Sequence, residues 1–186
     1  MRTLPLVAAP LLAAVACSAG GGSTPQEEET LAEQEPSQQE QPSAAGPARV
    51  GLDETHDFGG GFTITMTELR REVDPDGFNS MTGEEGELPY VAWSFEITNN
   101  TGNLLHTGST TSSCFVGDPL EETEQPVLGD AVNPPDQLAD GQSATWDADC
   151  WMDEDESQLQ YTLEFYDQES VSLYPPVTFA GKVPRE

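Results

Sequence analysis

Across residues 90–98 large apolar side chains alternate with small or polar ones: Val91, Trp93, Phe95 and Ile97 fall on one side, Ala92, Ser94, Glu96 and Thr98 on the other. A period of two is that of a half-buried strand, whose one face enters a core. Pro89 suits the opening of such a strand, because it has no N–H to give to a ladder, and Asn99-Asn100-Thr101-Gly102 carries the turn chemistry that ends it.

The same period recurs along the chain. Phe62, Ile64 and Met66 alternate with three threonines after Gly59-Gly60-Gly61, a turn or bulge signal. Ala144, Trp146, Ala148 and Cys150 share one face of a later strand, and Leu159, Tyr161, Leu163 and Phe165 one face of the next. Shorter strands are predicted over residues 113–117, 171–173 and 177–179, the last two flanking Pro175-Pro176. Residues 70–87 and 118–136 are polar and punctuated by Gly and Pro, which predicts two long connections, and Leu138-Ala139-Asp140-Gly141-Gln142 predicts a turn. No segment carries helical periodicity. About seven short strands joined by turns predict an all-β fold, an antiparallel β-sandwich of the immunoglobulin type.

Six basic and thirty-four acidic residues leave a formal charge of −28. Such a field repels the phosphates of nucleic acids and anionic lipid headgroups, so no nucleic-acid partner is expected, whereas small cations or basic partners are admissible.

The N-terminus gives an address. Arg2 precedes an apolar stretch over residues 4–16, too short to span a membrane and broken by Pro5 and Pro10, which is the pattern of a targeting signal. It closes on Ala14-Val15-Ala16-Cys17 and is followed by Ser18-Ala19-Gly20-Gly21-Gly22. This junction resembles the lipobox of bacterial lipoproteins, with Ala14 where that family usually has Leu. The resemblance implies a signal peptide over residues 1–16, lipidation at Cys17 and a chain held on the outer face of the cell membrane by that lipid. Residues 17–48 are rich in Gly, Ser, Pro, Gln and Glu, with Leu31 as their only large apolar side chain. They bury too little to order themselves and read as an expanded tether. Residues 49–186 are then the folded domain, expected to be a monomer.

Three segments carry a further resemblance: residues 58–65 (Phe-Gly-Gly-Gly-Phe-Thr-Ile-Thr), 90–100, ending in Thr-Asn-Asn, and 138–142 with its Leu-x-x-Gly turn. Together they resemble the landmarks of an uncharacterised family of immunoglobulin-like domains in secreted and lipid-anchored actinobacterial proteins, similar to a secreted mycobacterial antigen. The resemblance implies a fold and a surface location. It brings no catalytic residues.

Besides Cys17 the chain has two cysteines, Cys114 and Cys150. Outside the membrane, where disulfides persist, they are expected to pair. Neither a CxxC pair nor a flanking histidine supports a metal site on them. The acids Asp147, Asp149, Asp153 and Asp155, with Glu154 and Glu156, could offer oxygens to Ca²⁺, although their spacing is not that of an EF-hand loop. His56 and His106 are isolated, and neither an HExxH helix, a GxSxG elbow nor a phosphate-binding glycine loop occurs. The expected function is that of a non-enzymatic module that binds a protein or envelope ligand without a cofactor, with a calcium-ordered acidic loop surface as the alternative.

Overall fold

The alternating segments pair as strands in the computed structural model, which describes residues 47–185. The signal segment, Cys17 and nearly all of the tether lie outside the described residues. In chain order the strands are β1 (Ala48–Val50), β2 (Thr55–Gly59), β3 (Phe62–Asn79), β4 (Glu84–Asn99), β5 (Leu105–His106), β6 (Ser109–Val116), β7 (Glu121–Thr123), β8 (Gln137–Leu138), β9 (Ser143–Trp151), β10 (Gln158–Tyr166) and β11 (Val177–Lys182). Seven of these, β2, β3, β4, β6, β9, β10 and β11, have five residues or more. No helix occurs among the described residues.

One sheet runs β1-β11-β10-β6-β7 and the other β2-β3-β4-β9, with β5 and β8 forming a separate ribbon. All pairings are antiparallel except that of β1 with β11. The two sheets face each other across one core, which joins the inward positions of β3, β4 and β9 to those of β6, β10 and β11. Trp93 and Phe95 meet Tyr161 at ring-centroid distances of 4.8 and 5.5 Å, and Phe95 meets Phe179 at 5.3 Å. Val91, Trp93, Phe95 and Ile97 are all fully enclosed in this core, but Tyr90, Ala92 and Ser94 on the opposite face are buried as well, so this part of β4 is buried on both faces rather than on one.

Asn99 ties the end of β4 to the turn after β8. Its side-chain amide donates to the carbonyls of Asn103 and Leu138, both at 2.8 Å, while its backbone carbonyl accepts from Gly141 N–H at 2.6 Å. A buried side-chain amide needs such partners, and here one comes from Leu138, which opens the Leu-x-x-Gly turn, and the other from Asn103 in the loop between β4 and β5.

Three expectations are corrected. Residues 70–87 are no long connection: β3 and β4 continue through them as a hairpin whose turn occupies only residues 80–83. Register shifts between Thr67 and Arg70 and between Asp74 and Gly77 break the period of two, and the outer hairpin pairs only with itself and buries little besides Gly77 and Asn79, so few of its positions demand apolar residues. β6 begins at Ser109 rather than at residue 113, its first half being built from Ser and Thr, which carry no apolar alternation. Residues 171–173 form no strand, only a single bridge between Ser172 and Tyr166.

Candidate functional site

β6 and β9 lie on the same flank of the sandwich, where Cys114 and Cys150 join them by a disulfide with an S–S distance of 2.05 Å and a Cα–Cα distance of 6.5 Å. After β7 the chain crosses this flank as a strap, residues 124–133. Trp151 N–H donates to the Glu124 carbonyl at 3.1 Å and Asp147 N–H to the Ala131 carbonyl at 2.5 Å, so the strap takes up the free edge of β9. Between these two points Asp149 holds it: one carboxylate oxygen accepts Val127 N–H at 2.7 Å and the other Leu128 N–H at 2.6 Å.

Val127 has φ of 61°, a left-handed conformation that a β-branched residue adopts only under constraint. The paired N–H bonds to one carboxylate supply that constraint. Gly129 follows, and a Cβ there would stand 2.3 Å from the Cβ of Asp147, so only glycine lets the strap approach β9 this closely. The strap is fastened once more by Glu124, whose carboxylate accepts from Ser80 N–H and Oγ at the tip of the β3–β4 hairpin, at 2.6 and 2.9 Å.

Beneath the strap the sheets do not close. A cleft of about 300 Å³ remains between them, with Trp146, Tyr161 and Leu163 on its apolar side and Thr110, Ser112, Gln125 and Asn133 on its polar side. Gln125 Oε1 accepts from Ser112 Oγ at 2.9 Å and from the Tyr161 hydroxyl at 3.1 Å. Burial pushes the Tyr161 phenol up to about 12, so it stays a neutral hydroxyl near neutral pH. Hydroxyls, amides and aromatic walls together equip the cleft to hold a ligand by hydrogen bonds and apolar contact.

The four acids singled out in the sequence do not converge. Asp147 and Asp149 share the outer face of β9, opposite Ser94 and Ala92 of β4. Asp147 accepts from Ser94 Oγ at 2.9 Å, and Asp149 is buried under the strap. Asp153 and Asp155 are exposed in the β9–β10 turn, where their backbone carbonyls, rather than their carboxylates, accept from Arg71 and Arg185. Among the described residues no group of three or more His, Cys, Asp or Glu is placed to hold a metal ion.

Sequence reasoning did not identify the strap. Its only signal is Val127-Leu128-Gly129, an apolar pair and a glycine inside a polar loop. On the same outer face Glu72 accepts from Arg70 Nε and from the Tyr90 hydroxyl, both at 2.5 Å, and these bonds hold its carboxyl below the usual carboxylate range. Asp149→Asn leaves one strap N–H without its acceptor and is expected to cost about 1 to 3 kcal/mol in chemical denaturation. A loss near zero would mean that the strap is held without Asp149.

The chain matches no family model, no curated protein and no solved structure with which it was compared.

Proposed function

We propose that this chain is a lipid-anchored, non-catalytic binding module of the bacterial cell envelope, whose ligand occupies the cleft between β6 and β9. The observation that carries this reading is the cleft itself. Close packing across a sandwich is the rule, yet here a constrained backbone at Val127 and a buried carboxylate at Asp149 hold a strap over an opening lined by hydrogen-bonding groups. Two facing sheets joined by an inter-sheet disulfide support an immunoglobulin-like relationship for the domain. The anchor rests on the sequence around Cys17, with the tether carrying the domain away from the membrane.

The binding reading is tested by photo-crosslinking on intact cells. A crosslinker at Asn133, on the rim of the cleft, is expected to capture envelope material, while one at Asp53, in the turn between β1 and β2, is not. Equal capture from both positions, or none from either, would remove the cleft as the site. For the anchor, Cys17→Ser is expected to release the protein from the membrane fraction. Unchanged fractionation would sink that part.

The calcium alternative is separated by thermal melts. Repulsion among the carboxylates weakens as the Debye length falls from about 30 Å at 0.01 M salt to about 10 Å at 0.1 M, so stability is expected to rise with NaCl. A calcium site would add RT ln(1 + [L]/Kd), about 2.7 kcal/mol at a hundredfold excess over Kd. CaCl₂ is expected to match NaCl at equal ionic strength. A calcium-specific shift that disappears in Asp153→Asn, Asp155→Asn would favour the ion-binding module instead.

A further inference from the structure

Resting on the cleft-binding reading, we propose that the ligand is an extended, lysine- or arginine-bearing peptide that adds as a strand to the open edge of β6 over residues 109–113. All eight residues of β6 pair with β10 on one side, but on the other side only residues 114–116 pair with β7. The partner strand ends because the Glu124 carbonyl already accepts from Trp151 N–H on β9 and left-handed Val127 turns the chain away, after which Asp149 draws it onto β9. The strap that covers the edge of β9 is therefore the reason that half of β6 stays uncovered.

The orientation of the open edge is set by Gln125, whose amide lies 3.5 Å from the Ser112 carbonyl. Ser112 thus directs its backbone N–H and C=O outward, and by the alternation of an antiparallel strand Thr110 does the same. Both residues also line the cleft. An added strand would find a free donor–acceptor pair at Thr110 and the free N–H of Ser112, and would displace the Gln125 amide from the Ser112 carbonyl.

Exposed edges are ordinarily guarded by charge, proline or a bulge. This one has none of the three. Residues 109–113 read Ser-Thr-Thr-Ser-Ser, their pairing with β10 runs without a register shift, and no Asp, Glu, Lys or Arg occurs anywhere between Glu96 and Asp118. In a chain with thirty-four acids, that gap leaves an edge that pairing would not burden with buried charge. Main-chain bonds supply affinity in such a complex, and side-chain surroundings select the partner.

Charge identifies the occupant. Asp147 and Asp149 line the cleft, Glu121 and Glu122 lie on β7, and Glu124 and Asp130 lie on the strap. A second copy of the chain would bring its own −28 to this surface, whereas a basic strand is drawn to it.

The test uses the whole chain and a fluorescent eight-residue peptide of alternating Lys and Val, with amide exchange followed by NMR. The peptide is expected to bind, more weakly as NaCl is raised, and to slow exchange of the Thr110 and Ser112 amides. Methylating the peptide nitrogens at alternate positions is expected to weaken binding about tenfold or more, the equivalent of losing one or two net hydrogen bonds, while leaving the charge unchanged. A Glu/Val peptide is expected not to bind. Ser112→Pro, placed where the N–H faces away from β10, is expected to abolish protection; should it misfold, the methylated peptide tests the same bonds on the native chain. Equal binding by the methylated peptide, or binding without slowed exchange over residues 109–113, would overturn strand addition. Slowed exchange that grows with protein concentration in the absence of peptide would identify a second copy as the occupant and overturn it too. If crosslinks from Asn133 persist while these amides stay unprotected, the cleft remains the site and strand addition fails; without those crosslinks the cleft reading itself falls.

Discussion

Replacing Trp93 with alanine is expected to lower the unfolding free energy by about 3 to 5 kcal/mol, the range for emptying a large buried aromatic site. Trp93 has no exposed surface and stands edge-on to Tyr161 and Phe95, at 4.8 and 6.0 Å between ring centroids, so its removal strips contacts from both sheets together. Its indole Nε1 has no hydrogen-bond partner among the described residues. Trp93→Phe therefore forfeits volume but no hydrogen bond, and about 1 to 2 kcal/mol is expected for it. Chemical denaturation of both variants measures this. A loss below about 1 kcal/mol for the alanine variant would show that the strand does not present Trp93 to the core.

Removing the disulfide is the second large effect. Cys114 and Cys150 lie 36 positions apart, and in the chain-entropy description a cross-link closing a loop of that size stabilises by about 4 kcal/mol. The paired Cys114→Ala, Cys150→Ala variant is expected to lose about that much. Both sulfurs are enclosed in the core, so the bond is also expected to resist mild reductants until the domain unfolds. Peptide mapping without reduction should recover both cysteines in one cross-linked fragment. Two thiols that alkylate freely after unfolding would exclude the bond, and a variant as stable as the parent would show that unfolded-state restriction contributes nothing here.

The core was legible in the sequence because it depends on a short-range rule, and the disulfide partners because residues 49–186 contain only two cysteines. Side-chain direction alternates from one residue to the next in any strand, so Val91, Trp93, Phe95 and Ile97 declare a buried face without reference to what covers it. Leu159, Tyr161, Leu163 and Phe165 do the same for β10, and all four are buried. The β3–β4 hairpin was illegible for the complementary reason. Its outer half is mostly exposed, with only Gly77 and Asn79 buried, so main-chain pairing is chiefly what makes it a strand, and main-chain pairing leaves no mark on composition.

The cleft was hidden more deeply. Asp147 and Asp149 stand out in the sequence as carboxylates, but their tasks were set by distant groups: Ser94 Oγ for one, the N–H groups of Val127 and Leu128 for the other. Gln125 and Ser112 carry no signal of their own either, since neither their meeting nor the Tyr161 hydroxyl that joins them follows from spacing.

The order of residues was enough to set an all-β chain, the inward face of its main strands and the pairing of Cys114 with Cys150. Which edges pair, which edge a strap covers and which stays open were settled in three dimensions. Those outcomes depend on backbone N–H and C=O groups finding partners tens of residues away, and every residue except proline offers the same two groups. Identical donors and acceptors cannot be told apart by sequence, so the open edge of β6 becomes visible only once every other claim on those groups has been met.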